Sequence, residues 1–588
     1  MVQPFVPPAV HPSIPPVREP SIVSRSSRGI VGFLLVVPAA LALVVNYVVP
    51  TVRTVRTSLS ANDLDDQDFR SWVGLDNYRE LTGQALRATG HALSLAAVPL
   101  LMIAVVAPLI AYLAHRAGRA TRRAVAVAFA LPMAAFAPVA VAAAWRFEGR
   151  LGALPDPAQV GGATRIAFWL TTLGLTCGIA VTVYLAAWRG GSAGGSGRRP
   201  ALVVGTVLAV AAVAVALQDL TYSMVLNPWG VDNGAMTPAG TIFGTGFRLM
   251  DLAGACAVST LLLVVLAALG TVVTVLLICT GTRIEFGSGA LGRAGRSALA
   301  VVGAVAGTLA VLAAAGYGLW PWLSNLGGGP VPEGISTGTA LVNTWLPPLV
   351  STVVGIVLAA LAGFGIGAVR PLGRHSEWLL LLFAPWLFVG LAPFIVEHYT
   401  ALSELDAVGT FVALVPPFFV VIPALVVLTL FFRGQERVWR ARVAAGERGG
   451  PLVLRVVLLP ALPLVALLGV ITWVVNAQSL IGPLALTYRP EELTGPVVVL
   501  RQLGGFGAAA EPPAFGLVLP VVVLVVLVIG LVVLQLSYLD RLAVRTGHDH
   551  DGADAHRGTG GYPAPSPTGA SGSWAPASGR SEEGRPSR

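Results

Sequence analysis

Residue types that could carry covalent chemistry are sparse in this chain, and one is missing altogether. None of the 588 residues is a lysine, and the basic side chains are 38 arginines. A phosphate-binding loop of the Gly-Lys-Ser/Thr kind uses its lysine to reach the β- and γ-phosphates, so this chain cannot form one. If its work is driven by ATP, the ATPase is another polypeptide, and no cofactor is expected in this chain. Cys177, Cys256 and Cys279 lie inside apolar runs, where a lone thiol reads as a small core residue. His548, His550 and His556 stand in a polar C-terminal segment, HDHDGADAH, with nothing to pre-organise them as ligands, so no metal site is expected.

What remains is a set of polar side chains at the ends of apolar runs. Gln218, Asp219 and Tyr222 close one run, and Trp473, Asn476 and Gln478 close another. Polar groups at membrane depth are costly and carry a functional hypothesis by default. At 1.5 Å per residue, Gln218 to Tyr222 stand roughly 26–32 Å along a helix beginning near Ala201, in the outer half of a membrane or at its rim. One reading makes the six residues a substrate path, with amides and a carboxylate for sugar hydroxyls and Trp473 as a stacking face. The other makes them interfacial groups or helix-to-helix hydrogen bonds. Glu397 and His398, at the end of a further run, read as interfacial rather than as a proton relay.

The elements that must position these residues are membrane helices. The chain is 55% hydrophobic and 11% charged, with a mean hydropathy of +0.77, about half the charge of a soluble protein. Apolar runs long enough to cross a ~30 Å hydrocarbon core fall at about 30–49, 91–114, 124–145, 166–187, 201–222 and 252–280. After a polar break come 298–320, 340–368, 377–397, 409–432, 456–480 and 514–537. The fold class is therefore an all-α polytopic membrane protein of about twelve transmembrane helices. Arginines gather in alternate loops (Arg116, Arg119, Arg122 and Arg123; Arg433, Arg437, Arg440 and Arg442), which places both termini in the cytoplasm of a cell membrane. The net charge of +9 is thus a topology signal, and no nucleic-acid partner is expected. The chain divides into a disordered cytoplasmic arm (1–28), a first half (29–282), a cytoplasmic linker (283–297), a second half (298–538) and a disordered cytoplasmic tail (539–588). The halves repeat one pattern: the fifth run of each follows prolines, Pro200 or Pro460 and Pro463, and ends in polar groups. Paired six-helix halves are a common transporter plan.

Between the first two runs lies SWVGLDNYREL (71–81), a polar block in an apolar chain. Its Val73-Gly74-Leu75-Asp76-Asn77-Tyr78 resembles the "F-V-G-L-D-N-Y" phrase that follows the first helix of sugar-type (maltose-type) binding-protein-dependent ABC importer permeases. Asp76 or Asn77 is expected to cap the helix that starts at Tyr78. RRPALVVGTVLAVAAVAVALQDLTY (198–222) looks like the fifth helix of those permeases. VLLPALPLVALLGVITWVVNAQSLIGPLAL (457–486) is similar to the proline-led helix of their partner permease. The likeness covers about 30–282 and 338–547 and implies two permease halves fused in one chain. It further implies cassette ATPase subunits and an extracellular solute-binding protein as partners. The family's cytoplasmic loop before the fifth helix, Glu-Ala-Ala then Gly then Ile-x-Leu-Pro, docks on the ATPase. RARVAAGERGGPLVLRVVLLP (440–460) keeps Gly446, Leu459 and Pro460 of it, but has Arg440 where the glutamate belongs. The first half has only RGGSAGGSGRR (189–199), so its coupling helix is expected to be missing.

The resemblance implies the permease of an importer for a carbohydrate or similar polar solute, not an enzyme. The eroded loops allow a degenerate relic with a regulatory or partner-holding role. A secondary transporter would need mid-membrane charges, of which the runs have few. A membrane glycosyltransferase is suggested only by the acids of LDDQD (64–68), and such a run in an exposed loop is usually solvated.

Overall fold

The computed structural model describes residues 22, 27–61, 71–150, 157–191, 197–226, 235–287, 297–447, 451–504 and 511–547. Residues 1–21 and 23–26 of the N-terminal arm, LDDQD, the Gly-Ser core of 192–196 and the tail from His548 lie outside the described residues. Among the described residues, nine helices are long and apolar enough to cross a membrane. They are Arg28–Ser58, Asp76–Ala117, Val160–Gly190, Arg198–Leu226, Leu252–Cys279, Ala298–Leu323, Thr337–Val369, Pro451–Ala477 and Val521–Arg541. A tenth is formed if Arg119–Ala134 and Pro138–Phe147, bent by 74° at Pro138, count as one pass. The protein is therefore an all-α polytopic membrane protein. Inward faces are built from small residues, among them Ala92, Ala96, Ala107, Ala111, Ala359 and Ala362. Lipid tails supply no hydrophobic drive between helices, so close backbone approach has to hold them together. Large apolar side chains such as Leu34, Leu41, Val522 and Val526 face outward.

Two expected runs differ from the sequence reading. Residues 377–397 do not form one helix: 3₁₀ turns at Gly373–Leu382, Ala384–Trp386 and Ala392–Phe394 lead into the helix Ile395–Glu404. Pro385 and Pro393 withhold the N–H groups a continuous α-helix would need, and Gly390 between them adds a flexible point. The 409–432 run is irregular up to Val421 and becomes the helix Ile422–Ala444, whose apolar stretch stops at Arg433.

The repeat in the sequence is also a structural one. In each half the third element is broken, at Pro138 in the first and throughout 373–394 in the second. The fifth helix of each half halts and restarts. Arg198–Leu217 gives way at Gln218–Leu220 to the short helix Thr221–Leu226, and Leu462–Ala477 gives way at Gln478–Leu480 to Ile481–Leu486. The first helix of each half packs on the other half. Ala298–Leu323 lies against Asp76–Ala117 and Val160–Gly190, while Arg28–Ser58 lies against Thr337–Val369. The sixth helices cross over as well, Leu252–Cys279 onto 373–394 and Val521–Ser537 onto Arg119–Ala134.

Each sixth helix is followed by a four-residue strand, β1 (Arg283–Phe286) and β2 (Leu542–Arg545). They pair antiparallel with Ile284 opposite Val544 and Glu285 opposite Ala543. This corrects the division of the chain, because 283–286 and 542–545 fall within the expected linker and the expected disordered tail. Each strand rests on the fourth helix of the other half, β2 on Val160–Gly190 and β1 on Ile422–Ala444. A Cβ on Gly190 would stand 1.8 Å from the Val544 carbonyl oxygen, and one on Gly434 would stand 2.0 Å from that of Ile284. Only glycine admits the strand at either place. Arg189 and Arg433, one residue earlier, donate to Leu542 O and Thr282 O. Residue for residue, the two ends of the ribbon are equivalent.

Candidate substrate path and coupling surface

The six expected path residues sit where the fifth helices break, and most of their polar atoms are already engaged. Gln218 donates to Phe388 O at 2.8 Å and accepts from Gly390 N at 2.7 Å. It thereby serves the 3₁₀ backbone of the other half, whose carbonyls and amides have no water to turn to at membrane depth. Asp219 accepts from Tyr222 N at 3.3 Å, and its carbonyl accepts from the Thr237 hydroxyl. The Tyr222 hydroxyl pairs with Thr171 Oγ1 at 2.6 Å, and its ring meets Phe168 edge-on. Trp473 donates to Trp345 O at 2.8 Å and stands edge-on to that indole. Gln478 is buried and donates to Val518 O at 2.9 Å, while its Oε1 has no partner. Asn476 is half-buried, and no hydrogen bond to its side chain is present among the described residues.

No hydrogen bond or ring contact joins the 218–222 group to the 473–478 group among the described residues. The geometry brings each group to its own break; Gln478 Oε1 is buried without a partner, and Asn476 has no side-chain hydrogen bond among the described residues. One residue the sequence reading missed does span the halves. Arg146 donates to Val225 O at 3.2 Å and Leu503 O at 2.9 Å, one carbonyl from each half. Its signal was an arginine closing AAAWRF, an otherwise apolar segment. Arg53 joins the halves likewise, through Glu397 at 2.9 Å.

The VGLDNY block makes a different contact from the one expected. The helix starts at Asp76 with Leu75 before it and no side-chain cap. Asn77 Nδ2 instead donates backward to Ser58 O and Ser60 O, both at 2.9 Å. Tyr78 pairs with the Ser58 hydroxyl at 2.6 Å, and Gly74, at φ +65°, turns the chain so that its N–H meets Leu59 O. The block clasps the end of the first helix to the start of the second.

On the expected coupling loop, Arg440 pairs with Glu436 one turn earlier on its own helix. Burial pushes the Glu436 carboxyl up, and Arg440 beside it pulls the other way. Gly446 has φ +92° and ends the helix as a left-handed cap. Leu459 is exposed, and the Pro460 carbonyl accepts from the Tyr538 hydroxyl at 2.6 Å. In the first half the fourth helix runs to Gly191 and the fifth begins at Arg198, with β2 lying on Gly190.

No family model matches the chain, and no curated protein or solved structure is significantly similar to it.

Proposed function

We propose that this chain is the membrane-spanning permease of an ATP-binding-cassette importer, two permease halves fused in one polypeptide. It would move a carbohydrate or similar polar solute inward by alternating access. The observation that carries the reading is the two-fold repeat in which each half lends its first and sixth helices to the other. A repeat of this kind gives two bodies that can rock about a shared axis, the usual basis of alternating access. The VGLDNY resemblance adds the family to the architecture. In this reading the twelve passes include 377–397 and 409–432 as irregular ones, both termini are cytoplasmic, and the solute passes near the helix breaks at Gln218 and Gln478. Chemistry is left to cassette ATPase subunits, and solute is delivered by an extracellular binding protein.

A second reading, a partner-holding relic, draws on the cytoplasmic side of the first half. There β2 lies on Gly190 at the place where a coupling helix would begin. The two readings separate in one experiment on the tagged full chain, purified from its own membranes. The importer reading expects an ATPase with a phosphate-binding loop to co-purify, and expects deletion of Ala441–Gly446 to release it while the thermal unfolding midpoint stays close to that of the parent. A chain that retains no ATPase, or retains it equally after the deletion, overturns the coupling mechanism and favours the relic.

A further inference from the structure

Where three helix ends meet beside β2, arginines gather around one carboxylate. Arg122 and Arg123, in the Arg119–Ala134 segment, donate to Asp540 at 3.0 and 3.1 Å. Arg189 at the end of the fourth helix reaches the same carboxylate at 3.1 Å, and Arg119 stands 3.7 Å from it. Among the described residues, four guanidinium groups thus share this one carboxylate. Arg189 is further spent on Leu539 O and Leu542 O. Arg122 is not spent. Its side chain is only 4% exposed, yet its Nη2 is buried without a partner. A buried guanidinium nitrogen without an acceptor is costly even when the group's charge is paired.

The same groups wall a small surface crevice, lined also by Thr182, Leu185 and Gln535. Gln535 is buried, and its Oε1 likewise has no partner. Turning this amide over would aim its N–H groups inward at the cost of one weak 3.8 Å contact to the Met133 sulfur. Arg123, with a side chain 36% exposed, forms the open rim. On the helix that carries Gln535, the neighbouring Val533 and Leu536 are exposed apolar side chains. The crevice is thus walled by arginines, with the apolar side chains of Ala126, Leu185 and Leu539 beside them.

We propose that this crevice binds a phosphate group, that of an anionic membrane lipid whose acyl chains lie against the apolar outer surface of the helix Val521–Ser537. Its phosphodiester oxygens would take Arg122 Nη2, Arg123 and the Gln535 amide and add negative charge beside arginines that share one carboxylate. Basic pockets between helix ends at a membrane surface are suited to such headgroups, and guanidinium is suited to phosphate. The site requires only that the chain is embedded in a membrane and is independent of the importer reading.

The test is thermal unfolding of the full chain in detergent after lipid removal, titrated with phosphatidylglycerol, phosphatidylcholine or inorganic phosphate. Phosphatidylglycerol is expected to raise the midpoint saturably, and phosphatidylcholine at the same mole fraction is not. Arg123→Gln, which leaves Asp540 paired with Arg122 and Arg189, should weaken the half-saturation point about fivefold, and Arg122→Gln at least as much. If Arg122→Gln fails to fold, Arg123→Gln combined with Gln535→Leu carries the same expectation. Equal shifts from both lipids, or a phosphatidylglycerol effect untouched by these substitutions, would overturn the proposal. An arginine-dependent shift from inorganic phosphate but none from phosphatidylglycerol would support the phosphate site and reject lipid as its source.

Discussion

Asp76 and Asn77 are adjacent residues in the same polar block, and they show how much position decides. Asn77 satisfies the carbonyls of Ser58 and Ser60, while Asp76 pairs with Arg79 across an exposed surface, their side chains 68% and 79% accessible. Asn77→Ala should cost about 1–3 kcal/mol, because it orphans carbonyls at the close of the first helix. Asp76→Ala should cost less than about 1 kcal/mol, as exposed ion pairs do. Thermal unfolding of both variants in the same detergent checks the order, and a larger loss for Asp76→Ala would contradict the clasp. The block was visible in the sequence as a polar island, but its partner was not. A capping role is the default for Asp or Asn at a helix start, whereas Asn77 turns back across a loop whose residues 62–70 separate it from Ser58.

At the scale of elements, the sequence made the helix breaks legible and hid the strands. The QDLTY and NAQSL phrases marked the ends of two apolar runs, and both are helix interruptions. The run 377–397 carried its own warning in Pro385, Gly390 and Pro393, which hydropathy outweighed. β1 and β2 were illegible for a physical reason. Each has only four residues, too few to show a strand period, and each finds its partner more than 250 residues away. Opposed residues in an antiparallel pair lie close enough for a disulfide. Ile284→Cys with Val544→Cys, in a background without the three native cysteines, should therefore cross-link on mild oxidation. Adding Gly434→Val should suppress that cross-link, since a side chain there would collide with the Ile284 carbonyl and push β1 away. Cross-linking that persists after the Gly434→Val substitution would mean the strand does not depend on this close approach. Glu285 adds to the ribbon by bridging Arg283 and Arg545, which face each other, at 2.8 and 3.0 Å.

For the whole molecule, composition alone established a polytopic membrane protein, and the repeat was readable from the two proline-led runs. The exchange of first and sixth helices between halves was not readable, because helix-helix partners in lipid are chosen by small-residue packing rather than by a distinctive pattern. The proposed function sits at this scale: two interlocked halves, joined by a ribbon, would form the permease, with the energy coming from elsewhere. The most direct measurement is uptake of labelled carbohydrate into proteoliposomes holding the chain, its co-purified ATPase and the binding protein. Uptake is predicted to require ATP and the ATPase and to survive the collapse of ion gradients. It is also predicted to fall when the 284–544 disulfide forms and to return on reduction, because the joined halves could no longer part. Uptake by the chain alone, driven by an ion gradient without ATP, would contradict the importer reading.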